Sequence, residues 1–414
     1  MDRDNVKKTP TDTLIAAEQM RSGSRAWERD SFTARLTPQS GKEFSMSIQL
    51  SSDNFGRFLH NVTRDALQTL GRTNIIIAGS PGVGKSTLIN TVFQGNLATT
   101  GIGRPVTTST REYTKEGIPL SIFDTQGIGK NRFDAMLADL EQFLQKKQSS
   151  QDHNQQIHIA WLCIVEAPHR VEEADIAFVR MLSKYTPVIV VITQALNDTG
   201  FRRKAIELLP EARNVVRVLA LDMPIGDEGY IAKAKGLDDL VNLTMEVVPK
   251  AHQDALVRAL NIQIQAALDL KRQRARLAVG AAAATAASVG AVPIPIADAA
   301  LLVPIQITML AAISAIWGFS VSEASLSTIV SGLTTSSIAT VGGRALVGTL
   351  LRFLPGIGTV TGGLISAAAA ATITTGFGEA YIATLYALTK RHPDRMPTAK
   401  EIKEEFEHLL SKKS

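Results

Sequence analysis

The 414-residue sequence holds one cysteine, Cys163, so no intrachain disulfide framework can staple the fold, and a reducing compartment is expected. Cys163 stands in the apolar run Ile159-Ala160-Trp161-Leu162-Cys163-Ile164-Val165, the setting of a buried structural thiol and not of a reactive one. Charge of one sign is equally scarce. The 44 basic and 39 acidic residues leave a net +5, too small an excess to indicate nucleic acid by itself. No stretch interleaves basic and aromatic residues compactly, so RNA or ribosome binding has no separate module to carry it. Histidines do not cluster at ligand spacing: His153 and His158 straddle a loop-to-strand transition, and His169 lies beyond the next strand end. No Ser/His/Asp or paired-acid constellation can be assembled from the order of residues. The first eight residues, Met1-Asp2-Arg3-Asp4-Asn5-Val6-Lys7-Lys8, lead into no apolar stretch of secretory-signal length, so no signal peptide is expected.

What is present falls into four zones, in a chain long enough for at least two cores. Residues 1–54 are polar and lack a sustained period, which predicts a partly ordered arm. Residues 55–250 are expected to form the first domain. It opens with an amphipathic helix carrying Phe55, Phe58, Leu59, Val62, Ala66, Leu67 and Leu70, closed by Gly71. Short apolar strands then alternate with helical segments: 75–78, 120–123, 158–165, 188–192 and 215–219. Continuous apolar runs of this kind predict a mostly parallel sheet covered on both faces, a three-layer α/β domain. Residues 251–389 predict a second, all-α domain rich in alanine and glycine. Within it, 277–322 carries one charged side chain, Asp298, in 46 residues, and 353–378 carries none in 26. Residues 390–414 return to charge, with Ile402, Phe406, Leu409 and Leu410 as one stripe of a terminal helix.

The strongest motif is Gly79-Ser80-Pro81-Gly82-Val83-Gly84-Lys85-Ser86, directly after a predicted strand and before Thr87-Leu88-Ile89-Asn90, which can open a helix. Its glycines let successive amides point at phosphate oxygens, and the helix N-terminus adds its positive end. Lys85 is expected to span the β and γ phosphates and the Ser86 hydroxyl to take a Mg2+ position, making this a P-loop for a nucleoside triphosphate.

Asp124 closes the strand before Thr125-Gln126-Gly127, 38 residues after Ser86, where its carboxylate can hold magnesium through water and the Gly127 amide can approach the γ phosphate. Between the two motifs lies Pro105-Val106-Thr107-Thr108-Ser109-Thr110-Arg111, a switch segment able to place a threonine hydroxyl on the metal; Thr110 ranks first, then Thr108, then Thr107. The strand 188–192 leads into Thr193-Gln194-Ala195-Leu196-Asn197-Asp198, the expected place of base contacts. No Asp stands three residues after Thr193, so guanine preference is a weaker deduction than triphosphate binding. Ile128, after Gly127, has no polar group to hold a water; another residue, a partner or a backbone group must orient it, with Gln126 and Arg111 as alternatives within the chain and Arg104 as a mobile cation, and slow turnover is expected.

The charge-poor helices approach the ~20 apolar residues of a bilayer span. Pro293, Pro295, Pro304 and Pro355 interrupt or shorten them, leaving a membrane hairpin and a soluble bundle both open. Lys271, Arg272, Arg274 and Arg276 precede them, either as a headgroup-binding cluster or as an exposed helical turn, and Asp298 reads as an N-cap. Glu323, Arg344, Arg352 and Glu379 are candidates for ion pairs within the bundle.

Taken together, the motifs of 79–86, Thr110 and 124–127 resemble the Era-like group of bacterial translation-factor-like GTPases over about 70–250. The resemblance implies GTP and Mg2+ as ligands, GTP hydrolysis, and Thr110 as the switch threonine. In the family's guanine motif, Thr193 matches, whereas Gln194 replaces Lys and Leu196 replaces Asp. Gly82 stands where potassium-activated relatives place Asn or Asp, and a hydrophobic residue such as Ile128 is frequent after the switch glycine.

Residues 250–389 resemble the membrane-associated DUF697 type, on Lys271-Arg272, Gly290-Ala291-Val292-Pro293-Ile294-Pro295-Ile296-Ala297-Asp298, Pro304-Ile305-Gln306-Ile307-Thr308-Met309 and Pro355-Gly356-Ile357-Gly358-Thr359-Val360. This implies a nucleotide switch at the cytoplasmic face of the inner membrane, or a cytoplasmic protein with peripheral attachment, working with a homodimer mate or an activating protein. An ATP-using assembly protein and a non-hydrolysing nucleotide-gated scaffold are the alternatives.

Overall fold

The computed structural model describes residues 34–36 and 44–46, parts of 57–70, and then 71–100, 102–107, 110–125, 133–197, 199–226, 229–290, 298–319 and 367–411. The chain divides into two units, Met1–Arg57 and Phe58–Ser414. In the first, β1 (Ala34–Leu36) pairs antiparallel with β2 (Phe44–Met46). Most of the helix expected over 55–70 lies outside the described residues.

The second unit is built on β3 (Thr73–Ala78), whose six residues are all buried. Its Ile75-Ile76-Ile77 core suits a strand with both faces covered, because β-branched side chains fill the pleat on each side. Around it runs a seven-stranded sheet in the order β4 (Ile102–Pro105), β5 (Thr110–Lys115), β6 (Ile118–Thr125), β3, β7 (Ile159–Val165), β8 (Val188–Thr193), β9 (Asn214–Val218). From β6 to β9 neighbouring strands are parallel; β4 and β5 add an antiparallel flank. The five expected strands are all present. The flank was not legible, because β5 is largely half-exposed and lacks an apolar run.

One sheet face presents Ile75, Ile77, Leu120, Ile122, Trp161, Cys163 and Val191 to helices α1 (Lys85–Val92), α6 (Leu237–Val247) and α7 (Lys250–Ala259). The other presents Ile76, Phe123, Leu162, Val190 and Ile192 to α3 (Phe133–Gln148), α4 (Glu173–Leu182) and α5 (Phe201–Leu208). A four-residue helix, α2 (Leu97–Thr100), leads into β4. After β9 comes a separate hairpin of β10 (Met223–Ile225) and β11 (Tyr230–Ala232).

Beyond α7 the chain is helical: α8 (Gln265–Gly290), α9 (Asp298–Trp317), α10 (Ala367–Arg391) and α11 (Ala399–Ser411). Close packing is achieved with small residues. A Cβ on Gly378 of α10 would lie 2.5 Å from Val279 of α8 and 2.9 Å from Met309 of α9. Ser314 and Tyr381 hydroxyls pair at 2.8 Å, and Phe406 of α11 meets Phe377 and Tyr381 edge-on. Among the described residues no helix is long and apolar enough to cross a membrane.

The structure corrects the expectation for the basic cluster at Lys271, which lies neither on a surface nor in an exposed turn, whereas Arg276 is exposed. Lys271 is fully buried, with its ammonium on the carbonyls of Val257 (2.6 Å), Arg258 (3.1 Å) and Ile316 (3.2 Å). The Arg272 guanidinium lies over the Tyr386 ring, Arg274 pairs with Asp254, and Arg276 pairs with Glu379. Glu323, Arg344 and Arg352 lie outside the described residues, as does the Asp298 side chain.

Candidate functional site

The loop between β3 and α1 is built by glycine. Gly79 has φ +136, and a Cβ there would meet the Cys163 carbonyl oxygen at 2.3 Å, so only glycine lets the loop leave β3 this close to β7. Gly84 is the left-handed N-cap of α1, and no side chain caps that end. The first-turn amides of α1, an eight-residue helix, are therefore left for a ligand. Gly82, at φ +79 with open space around it, completes the exposed crest with Ser80 and Pro81.

Lys85 is nearly buried, and its Nζ donates to the carbonyls of Gly79 (2.8 Å) and Ser80 (3.2 Å), which centres the ammonium inside the loop. Ser86 and Thr87 are exposed on the first turn of α1. Val83 is buried and anchors the loop.

Alternation along β6 places Asp124 with Leu120 and Ile122, on the face that α1 covers. Its Oδ1 is buried without a hydrogen-bond partner. Burial pushes its pKa up, against the opposing pull of Lys85 and Arg111. A buried carboxylate oxygen without a donor, near a P-loop lysine, suits a divalent cation. Arg111 stands directly opposite Asp124 in the β5–β6 register.

Thr110 pairs with Thr125, one step out of phase with Asp124, so its side chain belongs to the opposite sheet face. Its hydroxyl is buried and unpartnered there, as is that of Thr125. The structure therefore does not bring Thr110 to the Asp124 carboxylate; strand pairing has absorbed it into β5. Thr107 precedes the strand, half-buried, while Thr108, Ser109, Gln126, Gly127, Ile128 and Asp198 lie outside the described residues.

Thr193, offered by the sequence as a base contact, has its hydroxyl committed inside the protein. It donates to the Val83 carbonyl at 2.6 Å and lies 3.2 Å from that of Ile164, tying β8 to the phosphate loop. Gln194 is exposed in the left-handed region (φ 53), and its amide nitrogen would lie 4.0 Å from a Cβ on Gly84. Sequence reasoning missed one feature nearby. Glu166, just past β7, and Arg217 of β9 form a largely buried ion pair at 2.6 Å, joining two strand ends across β8. A charged residue ending an apolar strand run was the only available signal.

Comparison with known proteins fits this geometry. Residues 74–194 match the model of the family described as 50S ribosome-binding GTPase, and residues 255–412 match the domain of unknown function DUF697. Ribosome biogenesis GTPase A of Bacillus licheniformis is 43% identical over 65 residues, which is 16% of this chain and 23% of that protein. The tRNA modification GTPase MnmE of Clostridioides difficile is 23% identical over 223 residues, 51% of this chain and 44% of the relative. The chain thus spans less than half the length of these curated relatives. A solved probable GTP-binding protein engB is 20% identical, with 42% of this chain and 98% of that one covered at a TM-score of 0.31.

The sheet and the phosphate loop define an α/β P-loop GTPase-type domain, the part of the chain that the 50S ribosome-binding GTPase model matches. In this chain that domain is fused to an all-α DUF697 domain.

Proposed function

We propose that this chain binds GTP with Mg2+ at the 79–87 loop, hydrolyses it slowly, and acts as a nucleotide switch read by its helical domain. The carrying observation is the juxtaposition of a glycine-built amide nest, the enclosed Lys85 ammonium and the unpartnered Asp124 oxygen on the face of α1. In this reading the loop amides and Lys85 gather the triphosphate, while Ser86 and Asp124 would hold magnesium, which supplies positive charge beside the phosphate oxygens. The switch hydroxyl comes from the Thr107-Thr108 pair just before β5, a revision that follows from the register of Thr110. The Gly127 amide remains the proposed γ-phosphate donor. Because Ile128 cannot hold the attacking water, a second copy or an activating protein completes the site; the 50S-binding description of the matched family makes a ribosomal partner worth testing.

Purified full-length chain is expected to release phosphate from GTP. Lys85→Ala should lose most of that activity, at least about a hundredfold, since it removes a charge from the transferring phosphoryl group. Unchanged turnover would reject the site. An ATP-using protein is the second reading, favoured by Gln194 and Leu196 in the base motif. Side-by-side titration of GTP and ATP separates the two. Attachment at the cytoplasmic face of the inner membrane rests mainly on the charge-poor stretches, because Lys271 of the basic cluster is spent on internal carbonyls. Fractionation of cells tests it, and exclusively soluble chain would remove it.

A further inference from the structure

Two buried cations converge on the C-terminal end of α9. Arg258 of α7 is 3% exposed and, among the described residues, directs its guanidinium at main-chain carbonyls: Nη1 to Ala315, Nη2 to Phe319 at 3.3 Å, and Nε to Gly117 at 2.9 Å. Lys271 reaches Ile316 from α8. The negative end of the helix and its free carbonyls offset the charge in place of a carboxylate.

Gly117 is the turn of the β5–β6 hairpin, whose other end carries Asp124. A second limb arrives from the phosphate loop itself. Just beyond α1, Gln94 accepts no freedom of its own: its amide donates to Ala259, and its side chain donates to Arg258 (3.1 Å) and Leu260 (2.7 Å). Gly318, the left-handed residue closing α9, packs on that side chain, where a Cβ would fall 2.8 Å away. The far ends of the two elements that would touch the nucleotide therefore meet at the end of α9. Paired strands and a short helix of about 12 Å move as stiff rods. A shift at the Gly117 carbonyl leaves a buried guanidinium N–H without its acceptor, a cost that one rearrangement of α9 can relieve.

We propose that Arg258 is a positioning residue that reports nucleotide state from the β5–β6 hairpin to the C-terminal end of α9, making that helix end the output of the switch. This rests on the GTP-switch reading above. It goes beyond that reading in naming the output element and the side chain that drives it.

The test is amide hydrogen exchange on the full chain with Mg2+, comparing GDP with a non-hydrolysable GTP analogue, with affinity for each nucleotide measured separately by fluorescence titration. The amides of Gly318 and Phe319, both bonded to the Ser314 carbonyl, should differ in protection between the two states by at least about fivefold. In Arg258→Lys the difference should collapse while nucleotide affinity stays nearly unchanged. Equal protection of Gly318 and Phe319 in both states of the wild type, alongside a difference in the β5–β6 amides, overturns the proposal; so does an undiminished difference in Arg258→Lys. Should Arg258→Lys fail to fold, Arg258→Gln, which keeps a side-chain N–H donor at the same place, takes over, and an undiminished difference there overturns the proposal. Failure to bind either nucleotide would instead sink the GTP-switch reading, and the titration registers that separately.

Discussion

At single positions the backbone decides more than side-chain chemistry does. Gly79 combines a φ of +136 with a carbonyl 2.3 Å from where a Cβ would sit, so Gly79→Ala forces β3 and β7 apart at the root of the phosphate loop. Local strain of about 1–3 kcal/mol is expected. A modest fall in melting temperature should accompany a loss of nucleotide affinity larger than that fall would suggest, seen by running both measurements on one preparation. Full retention of affinity would mean that the loop tolerates the shift. Lys271 illustrates the opposite case, a side chain whose burial fixes its meaning. In sequence it precedes an uncharged stretch and imitates a membrane flank. On the helix, however, its i−4, i−3 and i+4 neighbours are Ala267, Leu268 and Ala275, all fully or almost fully buried, so the wheel already placed it on the apolar stripe. Burial, and then the nearby Arg258, drive its pKa well below the ordinary lysine value.

Between elements, the seam of β3, β7 and α7 carries one pH-dependent contribution to stability. His158 and His252 stack with centroids 3.8 Å apart, and His158 Nδ1 accepts the Asn74 amide at 2.9 Å, which requires that nitrogen to be unprotonated. Burial, followed by the His252 ring, lowers the His158 pKa from 6.5 to about 4, and burial lowers that of His252. As pH falls, the unfolded chain takes up protons first. The His158 contribution to stability is therefore full above about pH 6.5 and drains away through pH 4, a loss on the order of 2 kcal/mol, while Asp175, whose pKa burial raises to about 6, contributes in the opposite sense over the same window. His158→Gln, which keeps an acceptor without titrating, removes the His158 contribution and leaves that of Asp175, so from pH 7 to pH 4 its urea midpoint should gain on that of the wild type; a constant difference between the two would reject the assignment. Legibility followed the same physics. Strands buried on both faces announced themselves as apolar runs, and the phosphate loop by its glycines. The half-exposed β5 and the β10–β11 hairpin did not, since alternation there is broken by partners the sequence does not name. Thr110 shows the same difficulty: its neighbours read as a switch loop, whereas pairing with Thr125 sets it at the start of a strand.

Over the whole molecule, the boundary drawn from composition at residue 250 runs through a shared core. Leu256, Val257 and Ala259 from α7, together with Leu260, Ile264, Ala267 and Ile316, belong to the same cluster as Ile75, Leu88 and Trp161. The P-loop domain thus completes one face of its sheet with the first helices of the DUF697 match, which itself begins at residue 255. Each large apolar side chain removed from that face forfeits about 1.5–3 kcal/mol, so losing several is comparable to the whole ~5–15 kcal/mol stability of a typical domain. Residues 58–250 alone are accordingly expected to aggregate or to melt without a cooperative transition. Phe58–Ser414 should instead unfold in a single step by calorimetry, its calorimetric and van't Hoff enthalpies agreeing. Two resolved transitions in Phe58–Ser414, with the 58–250 fragment folded and binding nucleotide, would show that the sheet stands without α7 and that the composition boundary is the true one.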